Sequence, residues 1–436
     1  MLSLFDPADI SVTDPRLSAV KGAPRIAEPQ RAQGVMRFEV PDDMVPPSHP
    51  ARTLWNVLGT LDLAAFGEAC ESVEGKAGRS LKSPRMLLTL WLYAIVKAVG
   101  SAREIARLVK TDLAYRWIVG DLEVGHHKLS EFRVDHGEAL NTLMTDVLAS
   151  LMAKGLLSLD LVADDGTRTR AAATAPSFRT YGSLLECRQQ AALHLKAVLA
   201  SADDPTYTQA QHARREACAR DFQERVAAAI ATVVELQQQR KPSDKKPARA
   251  STTDAEARVM KMGDGGFRPA FNVQYAVAGS EMGGPRTIVG VQVTNVGSDM
   301  SSLMPMAEQI KTRTGVLPKV VLADGGHAKY EDIIAMKKAG IDILVPVADN
   351  AKTLEQLRSD EDTPPEILAW RERMETPEAK EMYRARAGLC ELSNAHQKTH
   401  HGITQFLVKG IDKVTCVVLM NVIASNLMQH AAHWLT

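Results

Sequence analysis

The chain has 436 residues and 45% hydrophobic content, enough for two or three domains with cores of their own. Its 52 Lys and Arg balance 52 Asp and Glu, which excludes a uniformly basic nucleic-acid binder. Five scattered cysteines without a CxxC pair exclude a disulfide framework or a zinc ribbon and fit a reducing, cytoplasmic setting.

Residues 1–45 read as an extended arm, because Pro7, Pro15, Pro24, Pro29 and Pro41 block long helices. The arm lacks the apolar core of a signal peptide. Residues 46–155 read as an all-helical domain. Ser83-Pro84 is a cap followed by proline at the first helical position, and that helix stops near Gly100. Its apolar run, 86–96, is too short to span a bilayer, so no membrane partner is expected. Ser101-Ala102-Arg103-Glu104 has capping-box spacing and starts the next helix. Between Lys76 and Arg116 nine bases face only two acids, Glu104 and Asp112. Arg103, Arg107 and Lys110 are candidate phosphate contacts to DNA; the plainer reading is a solvated helix face. A long amphipathic helix is expected over 130–154, with Gly155 past its end.

A first strand is expected over 159–165. Residues 181–239 then read as a helical hairpin turning near Asp203-Asp204-Pro205, and Arg240 to Arg249 as a basic, flexible linker. Strands over 270–277 and 287–294 form a hairpin around a glycine-rich turn. A helix over 301–314, a strand over 319–323, a helix over 330–338 and a strand over 341–345 come next. Helices over 378–398 and 411–431 close the chain.

Three acids stand out on this frame. Asp165 ends an apolar run and opens Asp165-Gly166-Thr167; Asp324 ends another and precedes Gly325-Gly326; Glu391 lies in a polar helix with Lys398 two turns on. Two strand-end aspartates and a helical glutamate are what a two-metal phosphoryl-transfer site needs, because carboxylates hold Mg²⁺ with few protein ligands. Asp164 competes with Asp165, but neighbouring strand residues point to opposite faces, so one of them enters the site. The element order is that of a ribonuclease-H-like α+β fold. It has a mixed five-stranded sheet with helices and a helical insertion between its first two strands. The expected parts are a core from 156–180 and 268–436 and an insertion with linker over 181–267.

These residues resemble a family. His49-Pro50-Ala51-Arg52, Arg85-Met86-Leu87-Leu88, Gly100-Ser101-Ala102-Arg103 and Leu129-Ser130-Glu131-Phe132-Arg133 are similar to the N-terminal blocks of bacterial insertion-sequence transposases of the DDE type. Asp165-Gly166-Thr167, residues 251–258, Phe271-Asn272-Val273-Gln274 and Asp324-Gly325-Gly326 match later blocks, and Tyr383, Arg386, Glu391 and Lys398 fit the family's helix signature.

The resemblance implies that Asp165, Asp324 and Glu391 are catalytic acids holding two Mg²⁺ ions, with Mn²⁺ a substitute. It implies that Arg386 and Lys398 contact phosphate. The expected partners are double-stranded terminal inverted repeats, target DNA and a second copy of the chain. The implied reaction is cleavage at the element ends and joining of the 3′-OH to target. The alternatives are an inactive, transposase-derived DNA-binding protein and a metal-dependent nuclease. The chain departs from the pattern at His327, where an aromatic residue is common, and at Asn394-Ala395, where many members carry Phe-Gly. His396, His400 and His401 lack any supporting zinc motif, and His126-His127 reads as a helix-start pair.

Overall fold

The computed structural model describes residues 34, 36, 38–67, 81–202, 204–240, 246–280, 282–348 and 351–434. Met1–Val40 and Pro41–Thr436 are separate units, and the described helices and strands all belong to the second. Most of the expected arm, Cys70, Lys76, Arg79, Asp203, Lys241 and Lys245 lie outside the described residues. The last arm residues are not extended, since Pro41–Met44 form a 3-10 turn.

Six helices come first: α1 (Pro50–Leu58), α2 (Pro84–Val96), α3 (Ala102–Thr111), α4 (Leu113–Val119), α5 (His126–Phe132) and α6 (Gly137–Ala153). The Ser83 side chain caps α2 by accepting from the Met86 amide, and Ser101 caps α3 through the Glu104 amide. Glu104 does not complete a capping box; its carboxylate is taken by Arg107. The single helix expected over 130–154 is two. Trp91 donates its indole N–H to the Leu129 carbonyl at 3.0 Å, and Arg133 reaches away to the Gly100 carbonyl at 2.8 Å while lying over the Trp91 ring. These contacts turn the chain over 133–136, overriding the helical period.

The sheet comes next. β1 (Leu161–Arg170) leads to the short β2 (Phe178–Arg179), then α7 (Tyr181–Ala200) and α8 (Gln209–Gln238). Buried Leu184, Ala191 and Val198 recur every seven residues on α7, as do Ala219, Val226 and Val233 on α8. That spacing is the seam of a two-helix coiled coil, here formed by a hairpin. β3 (Ala250–Ser251) pairs with β2, and β4 (Arg258–Lys261), β5 (Phe267–Ala278) and β6 (Thr287–Thr294) succeed it. Then come α9 (Leu303–Thr314), β7 (Val320–Leu322), α10 (Tyr330–Lys338) and β8 (Asp342–Leu344).

The main sheet runs β6-β5-β1-β7-β8, with β4 continuing the β6 edge of β5. Its first half is antiparallel, while β1, β7 and β8 are parallel. This is the ribonuclease-H-like mixed sheet with a helical region before it, and five of its strands match those expected. Their bounds shift by a few residues, and one shift bears on the site. β1 does not end at Asp165 but pairs with β5 as far as Arg170. On its other side it keeps β7 only through Ala163. Asp165 therefore sits mid-strand, just where the parallel neighbour has ended.

The chain closes with α11 (Leu354–Arg358), α12 (Pro365–Glu375), α13 (Pro377–Tyr383), a π-turn (Ala387–Glu391), α14 (Leu392–Thr399) and α15 (Ile411–Trp434). The unbroken helix expected over 378–398 is thus three pieces. α15 is long and apolar enough to cross a membrane, yet 67% of its most apolar stretch is buried. It packs on α1, α2, α6 and β6, so that one core joins the first six helices to the sheet.

α15 also closes an open edge. Asn426 exchanges two hydrogen bonds with the Ile288 backbone, at 2.9 and 2.8 Å, and Gln429 does the same with Arg286, at 2.7 and 2.8 Å. Gln309 on α9 treats Val291 alike. Among the described residues no strand pairs with the outer edge of β6, and three side-chain amides take that place, which blunts the edge against further pairing.

A candidate catalytic centre of acidic residues

Strand alternation separates the two neighbouring aspartates. Asp165 turns to the helices, where it accepts from Arg386 Nη2 at 3.1 Å and from Asn394 Nδ2 at 2.9 Å. Asp164 points the other way, is almost wholly buried, and its Oδ1 has no partner among the described residues. Burial pushes the Asp164 pKa up to about 7. Burial also raises that of Asp165, and Arg386 partly offsets it.

Asp324 comes just after the end of β7 and caps the 3-10 turn Gly325–His327. Its Oδ1 takes both the Gly326 amide, at 2.9 Å, and His327 Nδ1, at 2.7 Å. The His327 bond holds this carboxyl below the ordinary aspartate range. Oδ2 is left facing Arg386 Nη2 at 3.9 Å.

Glu391 ends the π-turn, with Oε1 4.0 Å from Arg386 Nη1 and the side chain 67% exposed. In an α-helix, residues five apart sit about 140° apart around the axis. A π-turn repeats at i→i+5 and brings Arg386 and Glu391 to one side. Leu389 and Cys390, between them, are buried beneath the sheet's parallel half. Burial drives the Cys390 thiol pKa up, away from nucleophile chemistry.

All three acids thus converge on the guanidinium of one half-buried arginine. The rest of the helix signature gathers there too. Tyr383 donates its hydroxyl to the Ala323 carbonyl at 3.2 Å, which pins the end of β7. Burial lowers the Lys398 pKa, while the charge of Asp165 is the largest influence raising it. The donor set suits a hard divalent cation: three carboxylates, with a positive group already at their focus. Asp165, Asp324 and Glu391 would hold it, though with Arg386 between them no group of three metal-capable side chains is closed for coordination among the described residues.

The remaining candidates have other surroundings. Arg103, Arg107 and Lys110 are exposed on α3, with Arg107 held by Glu104 at 2.6 and 2.9 Å. His396 has its ring 4.9 Å from that of His400 and 4.7 Å from that of His401, without a metal-binding arrangement. His126 and His127 start α5 with rings 4.1 Å apart.

Three contributors escape sequence reasoning. Asn394 stands three residues beyond Glu391, a spacing that shares a helix face. His327 stands three beyond Asp324. Asp299 accepts from Arg168 at 3.0 Å and Asn272 at 2.7 Å, and from Gln274. This accounts for the Phe271-Asn272-Val273-Gln274 block: Asn272 and Gln274 share a strand face and clamp the Asp299 loop. It accounts for Gly166 as well, because a Cβ there would collide with Asp299 and Gln274.

Two family models match the chain. One is described as Transposase DDE domain and covers residues 231–427; the other, Transposase domain (DUF772), covers residues 39–135. Asp324, Arg386 and Glu391 fall within the first, and Asp165 lies between the two. No curated protein and no solved structure matches the chain.

Proposed function

The chain belongs to the DDE transposase family, and from that premise we propose that it cuts DNA at the ends of its own mobile element and joins the freed 3′-OH to target DNA, using Asp165, Asp324 and Glu391. The observation that carries this reading is the convergence of those three acids on Arg386 beside the end of β7, where β1 runs on without its parallel neighbour. The family typically depends on a divalent metal, which when bound would activate water and stabilise developing charge on oxygen. In this chain, Arg386 and Asn394 fix both oxygens of Asp165, and the Tyr383 hydroxyl fixes the backbone ahead of Asp324. Arg386 offers a fork and Lys398 a point charge for a DNA phosphate. The first six helices are proposed to read the terminal repeats, and pairing two ends calls for at least two copies of the chain.

The test is Asp324→Asn assayed on end DNA with Mg²⁺. Strand cleavage is expected to vanish while gel-shift affinity stays within about twofold, because the substitution leaves the helical region untouched. Unchanged cleavage overturns the assignment. Cleavage by the wild-type protein without any joining to target identifies a nuclease instead.

A further inference from the structure

Asp324 comes after a three-residue strand and precedes two glycines, a setting that gives its carboxylate little rigidity by itself. What holds it is His327. The imidazole is wholly inaccessible to solvent, and its Nδ1 meets Oδ1 of Asp324 at 2.7 Å. The Gly326 amide meets that same oxygen at 2.9 Å, so Oδ1 is fully engaged. Oδ2 is left turned to the place shared with Asp165 and Glu391. A purely space-filling residue would make no such bond.

We propose that His327 is a positioning residue that locks the Asp324 carboxylate, so that Oδ2 alone is presented to the divalent cation. Hydrogen-bonded partners of this kind commonly orient metal-binding side chains. The proposal rests on the phosphoryl-transfer reading above, and its test separates the two.

Full-length wild type, His327→Phe, His327→Asn and His327→Gln are titrated with Mn²⁺ alone, monitored by electron paramagnetic resonance, with thermal unfolding as a fold control. An Asn amide sits near where Nδ1 does, whereas a Gln amide sits nearer Nε2. Phe and Gln are expected to weaken Mn²⁺ binding at least tenfold with little change in melting temperature, and Asn by less than about threefold. Wild-type affinity in the Phe variant, or equal losses in Asn and Gln, overturns the proposal. If the Phe variant does not fold, the Asn and Gln pair decides. Absence of Mn²⁺ binding by the wild type itself overturns the phosphoryl-transfer reading, and this proposal with it.

Discussion

At the scale of single residues, the acids were legible and their keepers were not. Asp165, Asp324 and Glu391 each sit in a local motif that a sequence displays. Asn394, His327 and Asp299 matter through partners brought to them by folding: Asn394 lies 229 positions from the aspartate that it orients. Buried histidines are equally silent in sequence. His401 is buried beside His396 and His400; burial foremost, and then those two charges, push its pKa down to about 3. The unfolded value is near 6.5, so the unfolded chain binds more protons between those limits. Stability should therefore be complete above about pH 6.5 and fall as the solution is acidified below it. His401→Gln is expected to lose less melting temperature than wild type between about pH 7.5 and pH 5. Parallel losses in the two proteins would show that another group governs the acid limb.

At the scale of elements, caps and turns were readable, and interruptions were not. Ser83 and Ser101 start their helices as their sequence context predicts. The breaks at 133–136 and 387–391 leave no mark on apolar periodicity, because tertiary contacts impose the first and one extra residue per turn makes the second. The π-turn yields a sharp prediction. Inserting one alanine after Gly388 should place Glu391 six residues from Arg386 and turn it about 100° further away. Cleavage should then be lost while end-DNA binding persists. Gly388→Ala is the matching control: no atom lies within 4 Å of the added Cβ, so activity should stay near wild type. Cleavage by the insertion variant would dissociate Glu391 from the reaction.

At the scale of the whole molecule, strand order was legible because each strand was bounded by glycine, proline or a helix cap. The joint core was not, since nothing in 411–431 announces that it will lie against both the first helices and β6. The basic side of α3 belongs to this scale, because DNA long enough to carry a terminal repeat must bridge distant surfaces. Arg103→Ala with Arg107→Ala should weaken end binding and lower the salt slope by about one unit per lost phosphate contact. Arg107 is already engaged by Glu104, so Arg103 should account for most of the change. Equal affinity at low and moderate salt would leave α3 as a solvated face.

The amides that close β6 also set a timetable. Asn426 is joined to the chain 138 residues after the Ile288 that it covers. At ribosomal speeds of about 5–20 residues per second, the strand waits roughly seven to twenty-eight seconds for that amide. Throughout that interval the start of β6 lacks its amides, while Gln309 alone guards the edge at Val291. Because α15 is made well after β6, it is the helix that completes the cover, and a ribosome stalled before it leaves behind a chain with the start of that edge open.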